Sequence, residues 1–339
     1  MRSLAPVRAV LRPMPIACPH TTNGGTMHIS KILIAGTALA GAGLSQPAVA
    51  GKSGSSDMVA IPAGTFLMGS TKAETDAEQT LTHHTGLAVD DDFAPREKPQ
   101  HEVHVPAFEI ATTMVTRGQF ARFVAATGYT AKGCYAYLGT KYGMREDADW
   151  QSIGFPQSDQ HPVTCVNYDD ASAYVSWLSQ ETGTQFRLPT EAEFEYATRA
   201  GTTTSRYWGD DITLQCAYAN GADITVQQRD SDWITAQCHD DYYGPSPVAT
   251  FAPNAWGLYD MIGNLYQLVE DCWHDTYEGA PSDGSAWTDG AINGSACELH
   301  PIRGGSHSPH PGSMRSASRV MTNDTRSAFV GFRVARSVD

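Results

Sequence analysis

The sequence predicts a single irregular α+β domain, and three observations carry that expectation. Its 31 glycines and 19 prolines are spread widely enough to interrupt most long periodic runs. Three segments combine helical periodicity with matching end signals. After Gly201 the chain reads as short strands and turns, with one further helical turn at most. No internal repeat and no linker divide it.

The N-terminal region stands apart. Residues 27–50, "MHISKILIAGTALAGAGLSQPAVA", read as a secretory signal peptide: Lys31 supplies a basic start, Ile32 to Leu44 an apolar stretch, and Ala48-Val49-Ala50 a cleavage site. The apolar stretch is too short to span a bilayer. Translation is expected to start at Met27, which makes residues 1–50 a leader cleaved near Ala50, residues 51–57 a flexible N-terminus and residues 58–337 the domain. Periplasmic or secreted placement follows. The full chain has a formal charge of −14. Loss of the leader removes Arg2, Arg8, Arg12 and Lys31 but no acidic residue, deepening it to −18. Such a charge argues against nucleic acid and anionic membrane surfaces as partners, and suits a protein that collects hard cations.

"MVAIPAGTFLMGS" (58–70) reads as two short strands around Pro62-Ala63-Gly64. Residues 71–98, polar and without periodicity, are expected to form a long loop. "HEVHVPAFEIA" (101–111) alternates and reads as one strand. The first helix is capped by Thr116, carries Phe120, Phe123 and Val124 on one face, and ends at Gly128. The second starts from Asn167 or Asp169, with Ala171, Tyr174, Val175 and Leu178 in phase, and stops at Gly183. The third has a Thr190/Glu193 capping box before Phe194 and Ala197 and closes at Gly201.

The leader also takes away Cys18, leaving Cys134, Cys165, Cys216, Cys238, Cys272 and Cys297. An even number in an exported chain reads as disulfides. Consecutive pairing would close loops of roughly 20–30 residues, each worth about 3 kcal/mol in the chain-entropy account, but the sequence leaves the connectivity open. The absence of C-x-x-C spacing disfavours a redox motif or a zinc site.

Seven stretches now fall in a recognisable order: "IPAGTFLMGS", "HPVTCVNYDDASAYVSWLS", "RLPTEAEFEYATRAG", "WGDD", "PNAWGLYDMIGNLYQ", "RGGS" and "GFRVAR". Together they resemble the formylglycine-generating enzyme, or sulfatase-modifying factor, family over roughly residues 58 to 336. The resemblance implies a fold distantly similar to C-type lectins, with little regular secondary structure and bound calcium. Read locally, "RLPTEAEFEYA" is a capped helix with an inward aromatic face, "PNAWGLYDMIGN" supplies turn glycines and aromatic anchors, and "GFRVAR" is a final strand packed into the core.

Two calcium sites are implied by the same resemblance. The first would use Asn220, the carbonyl of Gly221, Asp240 and Tyr242. The second would use Asp260, the carbonyls of Gly263 and Leu265, and Gln267. Calcium takes six to eight hard oxygens, which such residues provide. Gln267 stands where the family has glutamate, so the second site should be weaker.

The family's formylglycine makers carry, after "RGGS", a cysteine pair that binds copper(I) and the substrate thiol. Copper(I) prefers thiolate ligands. Here the corresponding positions are Pro309 and Met314, so copper-thiolate chemistry is not expected. Ser306 matches the family's active-site serine, and His307 replaces the aromatic residue that follows it. Ser306, His307 and His310 are thus the candidate catalytic residues, with copper or iron as a possible metal at the histidines. His300 lies upstream, and His83, His84, His101 and His104 form a second loose group. Three roles are compatible with this pattern. One is a binder of a peptide, exported protein or small molecule that assists maturation. Another is an oxidoreductase of altered chemistry, as in the exported relatives that act in pyoverdine maturation, and the third is formylglycine generation on a sulfatase. The sequence does not set the oligomeric state.

If the six cysteines are all paired, the mature protein should show no reactive thiol when titrated in denaturant without reductant; two or more thiols would contradict the pairing.

Overall fold

The chain enters through strands β1 (Met58–Ile61) and β2 (Gly64–Met68), passes through helices α1 (Lys72–His83) and α2 (Phe93–Arg96), and returns in β3 (His101–Val105) and β4 (Phe108–Ala111). Then come α3 (Arg117–Thr127), the hairpin β5 (Cys134–Tyr137) and β6 (Tyr142–Arg145), α4 (Tyr168–Thr182) and α5 (Glu191–Arg199). The remainder holds the short helices α6 (Gln215–Tyr218) and α7 (Ile224–Gln227), then β7 (Tyr266–Leu268), β8 (His300–Arg303), β9 (Arg319–Thr322), β10 (Val330–Phe332) and β11 (Ala335–Ser337). This computed structural model describes residues 57–83, 93–137, 139, 141–228, 235–289, 297–308 and 311–338. The leader, residues 51–56 and His84 lie outside the described residues.

Two small sheets organise the domain. One has the order β1-β4-β11 and the other β10-β7-β8-β9, while β2 pairs with β3 and β5 with β6. β10 runs parallel to β7; the other pairings are antiparallel. One core cluster gathers Ile61, Val103, Phe108, Phe194, Ile262 and Met314; a second joins α3 and α4 through Phe120, Phe123, Tyr174 and Leu178 to Phe332. The mixture of short helices and small sheets is the α+β class the sequence predicts.

The three anticipated helices form with the expected caps. Thr116, Asn167 and Thr190 each accept a backbone N–H at the third helical position, and Gln119, Asp170 and Glu193 complete the capping boxes. Gly128 and Gly183 close α3 and α4 in the left-handed region. For α5 that position falls on Ala200 (φ 46°), one residue before the expected Gly201.

Four expectations need correction. Residues 71–98 are not a loop, since they contain α1 and α2. α1 lacks an apolar stripe and is held by polar contacts: Thr71 and Glu74 cap its start, and buried Glu78 pairs with Arg206 at 2.9 Å. Residues 101–111 form two strands, because Pro106 has no N–H with which to continue a ladder. The two strands also separate in space, β3 joining β2 and β4 joining β1. "GFRVAR" likewise supplies two strands in different sheets, with Arg333 at the break. Finally, four short helical turns follow Gly201 among the described residues, rather than one.

The cysteines pair in sequence order: Cys134–Cys165, Cys216–Cys238 and Cys272–Cys297. Their Cα–Cα distances of 5.5, 5.9 and 5.3 Å lie in the usual range.

Buried charge is concentrated on α5. Glu191 pairs with Arg319 at 2.7 Å and Arg303 at 3.3 Å. Glu195 pairs with Arg199 at 2.8 Å and also with Arg303, while Glu193 pairs with Arg187 at 2.6 Å. Arg303 further donates to the carbonyls of Ser316 and Ala317 at 3.1 and 3.0 Å. Removing one member of a buried pair leaves its partner charged and desolvated. Arg303→Met should therefore cost about 3–5 kcal/mol in urea denaturation. Arg117→Met, which breaks a surface pair with Asp159, should cost less than about 1 kcal/mol.

Candidate active-site strip

The strip that follows β8 is anchored before it begins. Gly304 (φ 87°) and Gly305 (φ 76°) turn the chain in a region closed to most side chains, and a Cβ on Gly304 would lie 2.6 Å from the carbonyl of Met261. The Gly304 carbonyl accepts the N–H of Gly263 at 2.8 Å, and the His307 N–H donates to the Asn264 carbonyl at 2.9 Å. The strip is thus laced to the turn between Asp260 and β7.

Ser306 and His307 are both completely buried. His307 Nδ1 lies 3.1 Å from the Asn264 carbonyl, which can only accept, so Nδ1 carries the proton and Nε2 keeps its lone pair. Nε2 has no hydrogen-bond partner among the described residues, nor has the Ser306 hydroxyl. Burial pushes the imidazole down to about 4, with the Asn264 contact opposing it. The ring stacks on Phe329 (5.1 Å, 16°) and meets Phe155 edge-on at 6.3 Å. From there the rings continue: Phe155 stacks on Tyr137 at 4.8 Å, Tyr142 packs on Phe329 at 4.5 Å, and Tyr243 approaches Phe155 at 5.9 Å. A neutral imidazole acceptor set in an aromatic wall can take a hydrogen-bond donor or a soft metal ion. It cannot act as a cation near neutral pH.

The other candidates disperse. His310 and Pro309 lie outside the described residues. Met314 is fully buried and wedges its side chain against Gly221, Gly263 and Gly305, where it packs the core. His300 stacks on Tyr168 at 3.6 Å and donates through Nδ1 to the Asp271 carbonyl. His101 stands beside Tyr277, and His104 beside Thr65. Among the described residues no three His, Cys, Asp or Glu side chains come together as a metal-ion site. The aromatic wall escaped sequence reading because its rings come from segments far apart in the chain; the alternation in "CYAY" is its one local trace.

The two loops singled out for calcium differ. In the first, the Asn220 side-chain oxygen is buried and unpartnered, while its amide nitrogen donates to Gly244. Asp240 accepts the N–H groups of Gly221 at 3.0 Å and Tyr242 at 2.8 Å, and burial pushes its carboxyl up to about 7. In the second, the Gln267 side-chain oxygen accepts from Arg333 at 2.6 Å and its nitrogen donates to the Asp260 carbonyl at 2.7 Å.

Residues 45–338 match the model of the sulfatase-modifying factor enzyme 1-like domain. The chain belongs to this family. It is 30% identical to the formylglycine-generating enzyme of Thermomonospora curvata, covering 82% of this chain and 92% of the relative. For the Streptomyces coelicolor enzyme the figures are 31%, 83% and 89%. Among solved structures, PvdO from Pseudomonas aeruginosa is similar with a TM-score of 0.65 and 33% identity, over 84% of this chain and 95% of PvdO. In this member of the sulfatase-modifying factor family, "RGGS" spans the end of β8 and the turn that opens the strip.

Because the folded His307 is held below the unfolded value near 6.5, its contribution to stability is complete above that pH. It is lost as pH falls through about 4, up to about 3 kcal/mol in all. His307→Phe keeps the ring stack and removes the titration. Urea midpoints at pH 7 and pH 4.5 should therefore differ less in this variant than in the wild type; an unchanged difference would refute the buried neutral imidazole.

Proposed function

We propose that this chain is an exported sulfatase-modifying factor family member whose cleft holds a peptide or small-molecule ligand against neutral His307. In this role it assists the maturation of an exported protein or metabolite without copper-thiolate chemistry. One observation carries the reading: all six described cysteines are committed to disulfides, and the strip from Arg303 to Arg319 contains none. No thiolate is then left in the strip to bind copper(I) or exchange with a substrate thiol. Three disulfides fit an oxidising compartment, and among the described residues no helix is long and apolar enough to cross a membrane.

In this reading Ser306 and His307 bind and orient the ligand. The Asn264 carbonyl fixes the imidazole so that Nε2 accepts a hydrogen bond, and the aromatic wall excludes water around it. Calcium suits the first loop, where buried Asn220 has an unmatched oxygen beside Asp240, the Gly221 carbonyl and Tyr242. There it would supply structural charge.

The likeness to PvdO favours a second reading, an oxidoreductase working at Ser306, His307 and His310. Metal analysis of the purified protein separates the two. Less than stoichiometric copper or iron, with no effect of His307→Ala/His310→Ala, supports the binding role; stoichiometric metal lost in that variant supports the oxidoreductase. A Cys-x-Pro-x-Arg peptide incubated with the protein should keep its thiol. Conversion to the aldehyde, read by mass spectrometry, would overturn both.

A further inference from the structure

The resemblance to the family implies calcium at the Asp260–Gln267 loop, but the residues there do not fit it. Arg333, at the break between β10 and β11, is completely buried and extends into this loop. Among the described residues all its hydrogen bonds go to neutral oxygens: Nε to the Gln267 amide at 2.6 Å, Nη1 to the Ala111 carbonyl at 3.0 Å and that of Thr112 at 3.5 Å. Nη2 reaches the carbonyls of Tyr259 at 2.7 Å and Asp260 at 3.3 Å. A guanidinium in a ring of carbonyl and amide oxygens occupies the kind of cage that a hard cation requires. The Asp260 carboxylate is likewise engaged, accepting from Ala249 N–H at 2.8 Å and from the Asn264 amide at 3.4 Å.

Charge settles the assignment. With glutamate at position 267 the loop would carry two carboxylates against one guanidinium, leaving a negative charge for a metal ion. With Gln267 it carries one carboxylate, Asp260, against one guanidinium, and is balanced. Calcium would bring two further positive charges next to a buried arginine, where repulsion is weakly screened. The Gln267 oxygen would also have to leave Arg333, which would then lose its Nε partner in a buried site. Both atoms of the amide are already matched, its oxygen facing N–H and its nitrogen facing a carbonyl.

We propose that Arg333 is the permanent cation of the Asp260–Gln267 loop and that this loop binds no calcium. The loop also carries Asn264, whose carbonyl holds His307, so the candidate site is braced from this side by an arginine and not by an exchangeable metal. The proposal stands apart from the reading of calcium at Asn220 and Asp240, and one experiment separates them.

The mature protein is dialysed against millimolar calcium, and bound metal is counted for the wild type, Asp240→Asn and Asp260→Asn. The expected result is one ion per chain, lost in Asp240→Asn and retained in Asp260→Asn. Two ions in the wild type, or one that survives Asp240→Asn and disappears in Asp260→Asn, would overturn the proposal. No bound calcium at all would uphold a metal-free Asp260 loop and instead refute the reading of the first loop. If Asp260→Asn does not fold, the wild-type count and Asp240→Asn decide the matter without it.

Discussion

Three glutamates on one short helix bind the domain together. Glu191, Glu193 and Glu195 are all buried on α5; they hold Arg319 and Arg303 from distant parts of the chain and Arg187 from just before the helix. A helix with its charges inside cannot be placed by apolar contact alone; each carboxylate must meet a guanidinium for the helix to be buried. Once they do, α5 fixes β8 and β9 together, and with them both ends of the strip that contains Ser306 and His307. Position and burial of the candidate site therefore follow from ion pairs that take no part in its chemistry.

Arg315 extends the same logic to the other side. It pairs with buried Glu97 at 2.7 Å and donates to the carbonyl of Gly312 through Nε at 2.7 Å. Arg206, paired with Glu78 on α1, donates to the carbonyl of Pro311 at 3.0 Å. The strip is held by arginines from its own sequence and from outside it. Its backbone is consequently determined by the framework.

What could be read from the sequence was mostly local. Caps at Thr116, Asn167 and Thr190 were legible because a side-chain oxygen and its N–H lie three residues apart. The family stretches were legible because they are long and ordered. α1 was not, since its hold is Glu78 meeting an arginine 128 residues away. The division of residues 101–111 between two sheets, and of "GFRVAR" between one of these and a third, depends on partners that periodicity does not name. At the site, His307 could be singled out from its neighbours, but its tautomer depends on a carbonyl 43 residues earlier.

The hairpin β5–β6 illustrates what the disulfides accomplish beyond stability. Tyr137 and Tyr142 stand on it, and both belong to the ring cluster around His307. Its first residue, Cys134, is bonded to Cys165 in the segment leading to α4. A chain with that bond open lacks the covalent tether between this hairpin and the segment leading to α4. One covalent bond, far from His307 in sequence, thus helps to fix the rings that surround its imidazole.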